Sequence, residues 1–189
     1  MGFQGGNNSA TQPGVWYAPQ RVNGAVAGVS AAFELGPYVA IQAEGLYSEK
    51  GARQGDRFFV RFKYLEFPVV ARFSLPDVAF CVQPFATLGF SRAREIGCFG
   101  FESWAPPTWN SAGIVPYPRT PFDCNYRVAT IFDRGQIVGV GLLKARDRVR
   151  YTLELRKVHG TLDLGRNENY SSFHNEVISL LFGAAVVVK

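Results

Sequence analysis

Apolar residues alternate with small or polar ones over long stretches of the chain, the period-2 signature of strands with one greasy face. Over 24–35 the odd positions Ala25, Ala27, Val29, Ala31, Phe33 and Leu35 are apolar, while the even ones include Gly24, Gly28, Ser30 and Glu34. Segment 38–50 sets Val39, Ile41, Ala43 and Tyr47 against Gln42, Glu44, Ser48 and Lys50, and 61–73 sets Leu65, Phe67, Val69, Ala71 and Phe73 against Tyr64, Glu66 and Arg72. The same alternation continues in 79–92 (Phe80, Val82, Ala86, Leu88, Phe90), 128–144 (Val138, Val140, Leu142), 148–158 (Tyr151, Leu153, Leu155) and 174–188 (Ile178, Leu180, Phe182, Ala184, Val186, Val188). These segments predict strands of roughly 10 to 15 residues, long for a globular strand and suited to a tilted membrane crossing. No segment sustains the 3.6-residue period of an amphipathic helix.

The connections alternate in length. Leu35-Gly36-Pro37-Tyr38, Ser74-Leu75-Pro76-Asp77 and Ala145-Arg146-Asp147 predict tight turns, whereas 6–22, 51–57, 93–127 and 160–173 are longer and polar. Short turns at one end and long loops at the other describe an outer-membrane barrel. The expected fold is therefore all-β: a single domain over 1–189 forming an eight-stranded antiparallel up-and-down transmembrane β-barrel. Seven strands are read directly from the alternation, with 6–22 as a longer connection at the start.

An eight-stranded interior holds side chains and no channel. Glu44, Glu66, Arg72, Arg150, Glu154 and Arg156, all on the polar face, are accordingly expected to pair with one another in the lumen. A soluble lipocalin-like barrel carrying a small apolar ligand is the alternative, and it would turn the apolar face inward.

Composition narrows the remaining classes. The chain is 47% hydrophobic and 14% aromatic, yet no apolar run approaches the roughly 20 residues of a membrane helix. The net charge of +5 is spread along the chain without a basic block, so nucleic acid is not an expected partner. Cys81, Cys98 and Cys124 lack the close Cys or His spacing of a zinc site, and no metal or cofactor is expected. The opening Met-Gly-Phe-Gln-Gly-Gly-Asn-Asn has none of the features of a secretory signal.

In order along the chain, six segments resemble the PorT-like outer membrane β-barrel domain: Ala43–Gly51, Tyr64–Val70, Gln83–Gly89, Gly139–Gly141, Gly160–Leu164 and Asn175–Gly183. The resemblance runs from about residue 22 to the end and implies a small barrel of the bacterial outer membrane with no enzymatic activity. Family members carry a signal peptide and a full first strand, of which the resemblance leaves only Met1–Gly5 here as an abbreviated remnant before an external loop to residue 22, with Val15-Trp16-Tyr17 the alternative recruit; the terminal aromatic usual in outer-membrane barrels is replaced by Val188-Lys189.

The long loop 93–127 holds the candidates for recognition. Cys98 and Cys124 are expected to form a disulfide, which, closing a loop of about 25 residues outside the cell, contributes roughly 3 kcal/mol; Cys81 is expected to be an inert thiol on a strand. Trp104, Trp109 and Tyr117 offer rigid aromatic contact area for another membrane protein. Arg53, Arg57, Arg61 and Lys63 cluster where the second external loop meets the membrane and are the expected contacts for lipopolysaccharide phosphates. His159 and His174 flank 160–173 and, with Asp163 or Glu168, are the only approach to a lipid-modifying enzyme; no serine is fixed near them by a motif, and two rim histidines without a catalytic role are the expectation.

Overall fold

The structure, a computed structural model, describes residues 1–13, 20–76, 82–103, 120–121, 132–162 and 174–187, with the backbone alone at 108–110 and 113–115. Among these, eight long strands form the wall: β1 (Gly2–Thr11), β2 (Gln20–Glu34), β3 (Val39–Gln54), β4 (Phe58–Ser74), β5 (Val82–Glu102), β9 (Phe132–Arg146), β10 (Val149–Gly160) and β11 (Glu176–Val186). Each is antiparallel to its neighbours in chain order. The first and last strands pair from Gly2↔Ala185 to Thr11↔Glu176, which closes the cylinder. Closure leaves no open edge to template association with another sheet. Three short strands, β6 (Thr108–Asn110), β7 (Gly113–Val115) and β8 (Thr120–Pro121), lie between β5 and β9; β6 pairs with β7, and β8 pairs with the end of β5.

Three elements differ from their expected extents. The first strand is ten residues long, not a remnant ending at Gly5: Gly5-Gly6-Asn7-Asn8-Ser9 reads as loop because it has no apolar face, yet Gly6 sits so close to β11 that a Cβ there would collide with the Leu180 carbonyl. The connection 51–57 is a tight turn over Gly55–Arg57, with Gly55 at φ 52°, the left-handed region glycine tolerates. Finally, 93–102 is strand: β5 continues to Glu102 beside Phe58–Tyr64 of β4, with Ile96 as an extra residue where the register shifts. At the opposite end β9 and β10 are joined by Asp147-Arg148 alone, with Asp147 at φ 55°, as a two-residue hairpin requires.

The alternation sorts side chains as expected. Phe33, Leu35, Ile41, Leu65, Phe67, Val69 and Phe73 all face out, and the belt continues around the cylinder through Leu88, Phe90, Val138, Val140, Leu142, Leu153, Leu155, Leu180 and Phe182. Along β4, Phe67 is 52% exposed and Val70, three residues on, only 1%. From Phe73 to Leu65 the belt rises about 20 Å, at roughly 3.3 Å per residue and a tilt near 40°. Exposed apolar area on this scale does not occur on a barrel surrounded by water, and a soluble carrier with its apolar face inward is overturned.

Candidate functional site

The interior is filled from one end to the other. Nearest the short turns, Glu34, Tyr38, Arg72, Ser74, Gln83 and Arg150 line an open vestibule. Above it, Arg156 makes bidentate contacts to Glu44 at 2.7 and 2.8 Å and to Glu154 at 2.9 and 3.0 Å, and the Thr87 hydroxyl donates to Glu154 at 2.7 Å. The arginine side chain is 3% exposed and that of Glu44 0%, so the charges are held by one another and not by water. The next layer is neutral: Ser179 donates to Asn8 at 2.7 Å, and Asn8 donates to Ser48 at 2.8 Å. Beside it is a void of about 10 Å³, room for no more than one water. Higher again, Lys50 lies 2.7 Å from Glu66 and 3.4 Å from Asp133. Asn175 donates to Asp133 at 2.9 Å and accepts from Gln12 at 3.1 Å. Val60, Phe62, Tyr64, Ala52 and Ala93 pack above these.

The expected lumen charges therefore fall into separate groups. Glu44, Glu154 and Arg156 form one cluster, with Arg72 donating to Gln42 at 3.4 Å on its lower side. Glu66 belongs to a different cluster with Lys50 and Asp133, which the charge assignment from sequence did not include. Arg150 pairs with Glu34 at the mouth of the barrel, where both side chains are partly exposed.

At the rim beyond the belt, Arg53 pairs with Asp56 at 2.8 Å, and Arg61 lies 3.7 Å from Glu49 and donates to the Asn23 carbonyl at 3.2 Å. Arg57 is likewise engaged within the fold. Of the expected phosphate contacts only Lys63 has no ion pair within the described residues. Lys157 and Arg21 approach Glu176, and the hydrogen bond from Lys157 holds that carboxyl below its usual range. His159 and His174 do meet, edge to face with centroids 4.8 Å apart; Asp163 and Glu168 lie outside the described residues. Among the described residues no three His, Cys, Asp or Glu side chains are grouped to hold a metal. Cys81, Cys124, Trp104 and Tyr117 also lie outside the described residues, as does the side chain of Trp109.

Solved structures share this architecture. Neisserial surface protein A superposes with a TM-score of 0.54 at 11% identity, covering 98% of this chain and 95% of that one. The fold is that of a small outer-membrane β-barrel. The outer membrane enzyme PagL matches with a TM-score of 0.52 at 12% identity, over 97% of this chain and 98% of that one. The attachment invasion locus protein Ail of Yersinia pestis covers 98% of this chain at 11% identity and a TM-score of 0.44. No protein-family model and no curated relative matches the chain. Because an enzyme and a surface protein share the architecture, function rests on this chain's own side chains.

Proposed function

We propose that the protein resides in the bacterial outer membrane as a non-enzymatic barrel that acts through its external loops. The observation that carries the reading is the combination of an outward apolar belt with a lumen occupied by paired charges. A barrel so filled offers no conduit, and a rigid scaffold with one connection far longer than closure requires places recognition on that connection. The segment between Ser103 and Phe132, with Trp104, Trp109 and Tyr117, is the expected contact for another membrane protein, while outer-membrane lipid and lipopolysaccharide surround the belt and rim. The six segments resembling the PorT-like domain support placing the chain in that group.

A disulfide between Cys98 and Cys124 belongs to this reading. Its support is that Cys98, at the external end of β5, is disulfide-bonded, and that Cys98 and Cys124 bracket Trp104, Trp109 and Tyr117 in the chain. A Cys81→Ser variant should keep a reduction-sensitive shift in electrophoretic mobility.

The test of the reading is to replace 104–131 by a short turn and to cross-link the intact and shortened proteins in native outer membranes. The shortened protein should remain a heat-resistant barrel and lose its cross-linked neighbours. Retention of every cross-link would remove the loop from the account.

A further inference from the structure

The arc of the outer wall formed by β4, β5 and β9 carries three arginines that the fold leaves without counter-charges, with a lysine at their edge. Arg92, Arg94 and Arg134 all face outward and are exposed. Strand register puts Arg92 between Phe67 on one side and Arg134 on the other, and Arg94 between Leu65 and Phe132. Lys63 follows next along β4, its stem leaning over Gly97 of β5. None of the four forms an ion pair among the described residues. The acidic residues of these strands do not share their face: Glu66 and Asp133 are buried in the lumen, the half-buried Glu95 alternates to the face opposite Arg94, and Glu102 lies at the far end of β5. Lys63 faces Glu49 across β3–β4 and shares that carboxylate, at a distance, with Arg61 and Tyr47.

Like charges directly opposite across a sheet repel, so the Arg92–Arg134 pairing is a local cost unless an anion lies between the two guanidiniums. The position of the group says which anion. Phe67, Phe90 and Leu88 lie beside and below it as part of the apolar belt, and Phe59, Phe99 and Phe101 pack together above it on the extended ends of β4 and β5. A ligand here has apolar surface under it and charge at the level of the arginines. Guanidiniums on flexible stems rise to the interface while their methylenes stay in hydrocarbon, and they bind phosphate oxygens bidentately.

We propose that Arg92, Arg94 and Arg134, with Lys63 at the edge, clamp the phosphate groups of a phosphorylated lipid headgroup in the outer leaflet. The site differs from the Arg53–Arg61 rim, whose cations are engaged within the fold. The proposal rests on the membrane reading above.

The test uses the full-length protein refolded into phosphatidylcholine nanodiscs doped with a bisphosphorylated disaccharide lipid or with its dephosphorylated form, with retained lipid counted by native mass spectrometry. The phosphorylated lipid should be retained preferentially, and Arg92→Gln/Arg94→Gln/Arg134→Gln should lower that retention at least tenfold. Arg134→Gln alone, which removes one of the facing pair, should lower it several-fold. The control Lys144→Gln/Arg146→Gln/Arg148→Gln removes equal charge at the short-turn end and should leave retention unchanged. Equal retention of the two lipids, an unaffected triple variant, or an equal loss in the control would overturn the site while leaving the barrel in its membrane. Displacement by inorganic phosphate as effective as displacement by the lipid would make it a free-anion site and overturn the lipid assignment. Failure of the wild-type protein to insert would overturn the membrane reading and the site together.

Discussion

Replacing Arg156 by Met removes the only guanidinium among the described residues that touches both buried carboxylates of the lower cluster. Wild type has four charge-assisted contacts there, from 2.7 to 3.0 Å. In the variant Glu44 keeps Gln42 and Gln4, and Glu154 keeps Thr87 and the more distant charge of Arg72, which offset the stranded negative charge only in part. Breaking a buried pair in this way costs about 3–5 kcal/mol. Arg53→Met, at a pair whose side chains are 49% and 62% exposed, should cost less than about 1 kcal/mol because solvent screens that contact. Removing all three charges together, Glu44→Gln/Glu154→Gln/Arg156→Met, should restore part of the loss, since no buried carboxylate is then stranded, although Arg72 beside the vestibule loses the attraction of Glu154. The assay is reversible urea unfolding in lipid vesicles followed by far-UV circular dichroism. An Arg156→Met variant within about 1 kcal/mol of wild type, or a triple variant as unstable as the single one, would refute the reasoning.

Four further outcomes follow from the same structure. Val69→Arg places a charge on the outward belt and should cost about 2–4 kcal/mol in the same urea assay. Gly89→Ala, whose Cβ would lie 2.2 Å from the Val69 carbonyl oxygen, should cost about 1–3 kcal/mol, while Gly45→Ala, with its nearest neighbour at 3.9 Å, should stay near wild type. Purified protein in planar bilayers should show no steady channel, because the void among Asn8, Lys50 and Arg156 is only about 10 Å³. Glu176 has a depressed folded pKa, so its contribution is present above the ordinary carboxylate range and lost as pH falls through the folded value; the difference in unfolding midpoint between wild type and Glu176→Gln should shrink in acid.

The outward face was legible because strand alternation is strict: Val29, Phe33, Ile41, Phe67, Val69 and Leu180 could be placed from parity alone. Parity says nothing of height along the barrel, which is why Arg150 was grouped with Arg156 although it sits at the mouth with Glu34. It also fails where the outward residues are not apolar. Arg92 and Arg94 interrupt the greasy face of β5, so 93–102 reads as loop although it is strand, and β1 hides behind Gly5-Gly6-Asn7-Asn8. Asp133 was missed for a related reason, since its neighbours Arg134, Gly135 and Gln136 show no alternation. Long-range pairing such as Lys50 with Asp133, 83 positions apart, is fixed by barrel closure and leaves no local trace.

The claim beneath all of this is that the apolar face meets lipid and the polar face is enclosed. In a cysteine-free background, spin labels placed singly at 66 through 73 of β4 and measured in bilayers separate the two faces by their collision rates with oxygen and with a water-soluble nickel chelate. The account predicts high oxygen accessibility at 67, 69, 71 and 73, with 66, 68, 70 and 72 shielded from both reagents. The opposite alternation, or nickel accessibility at the odd positions, would contradict it.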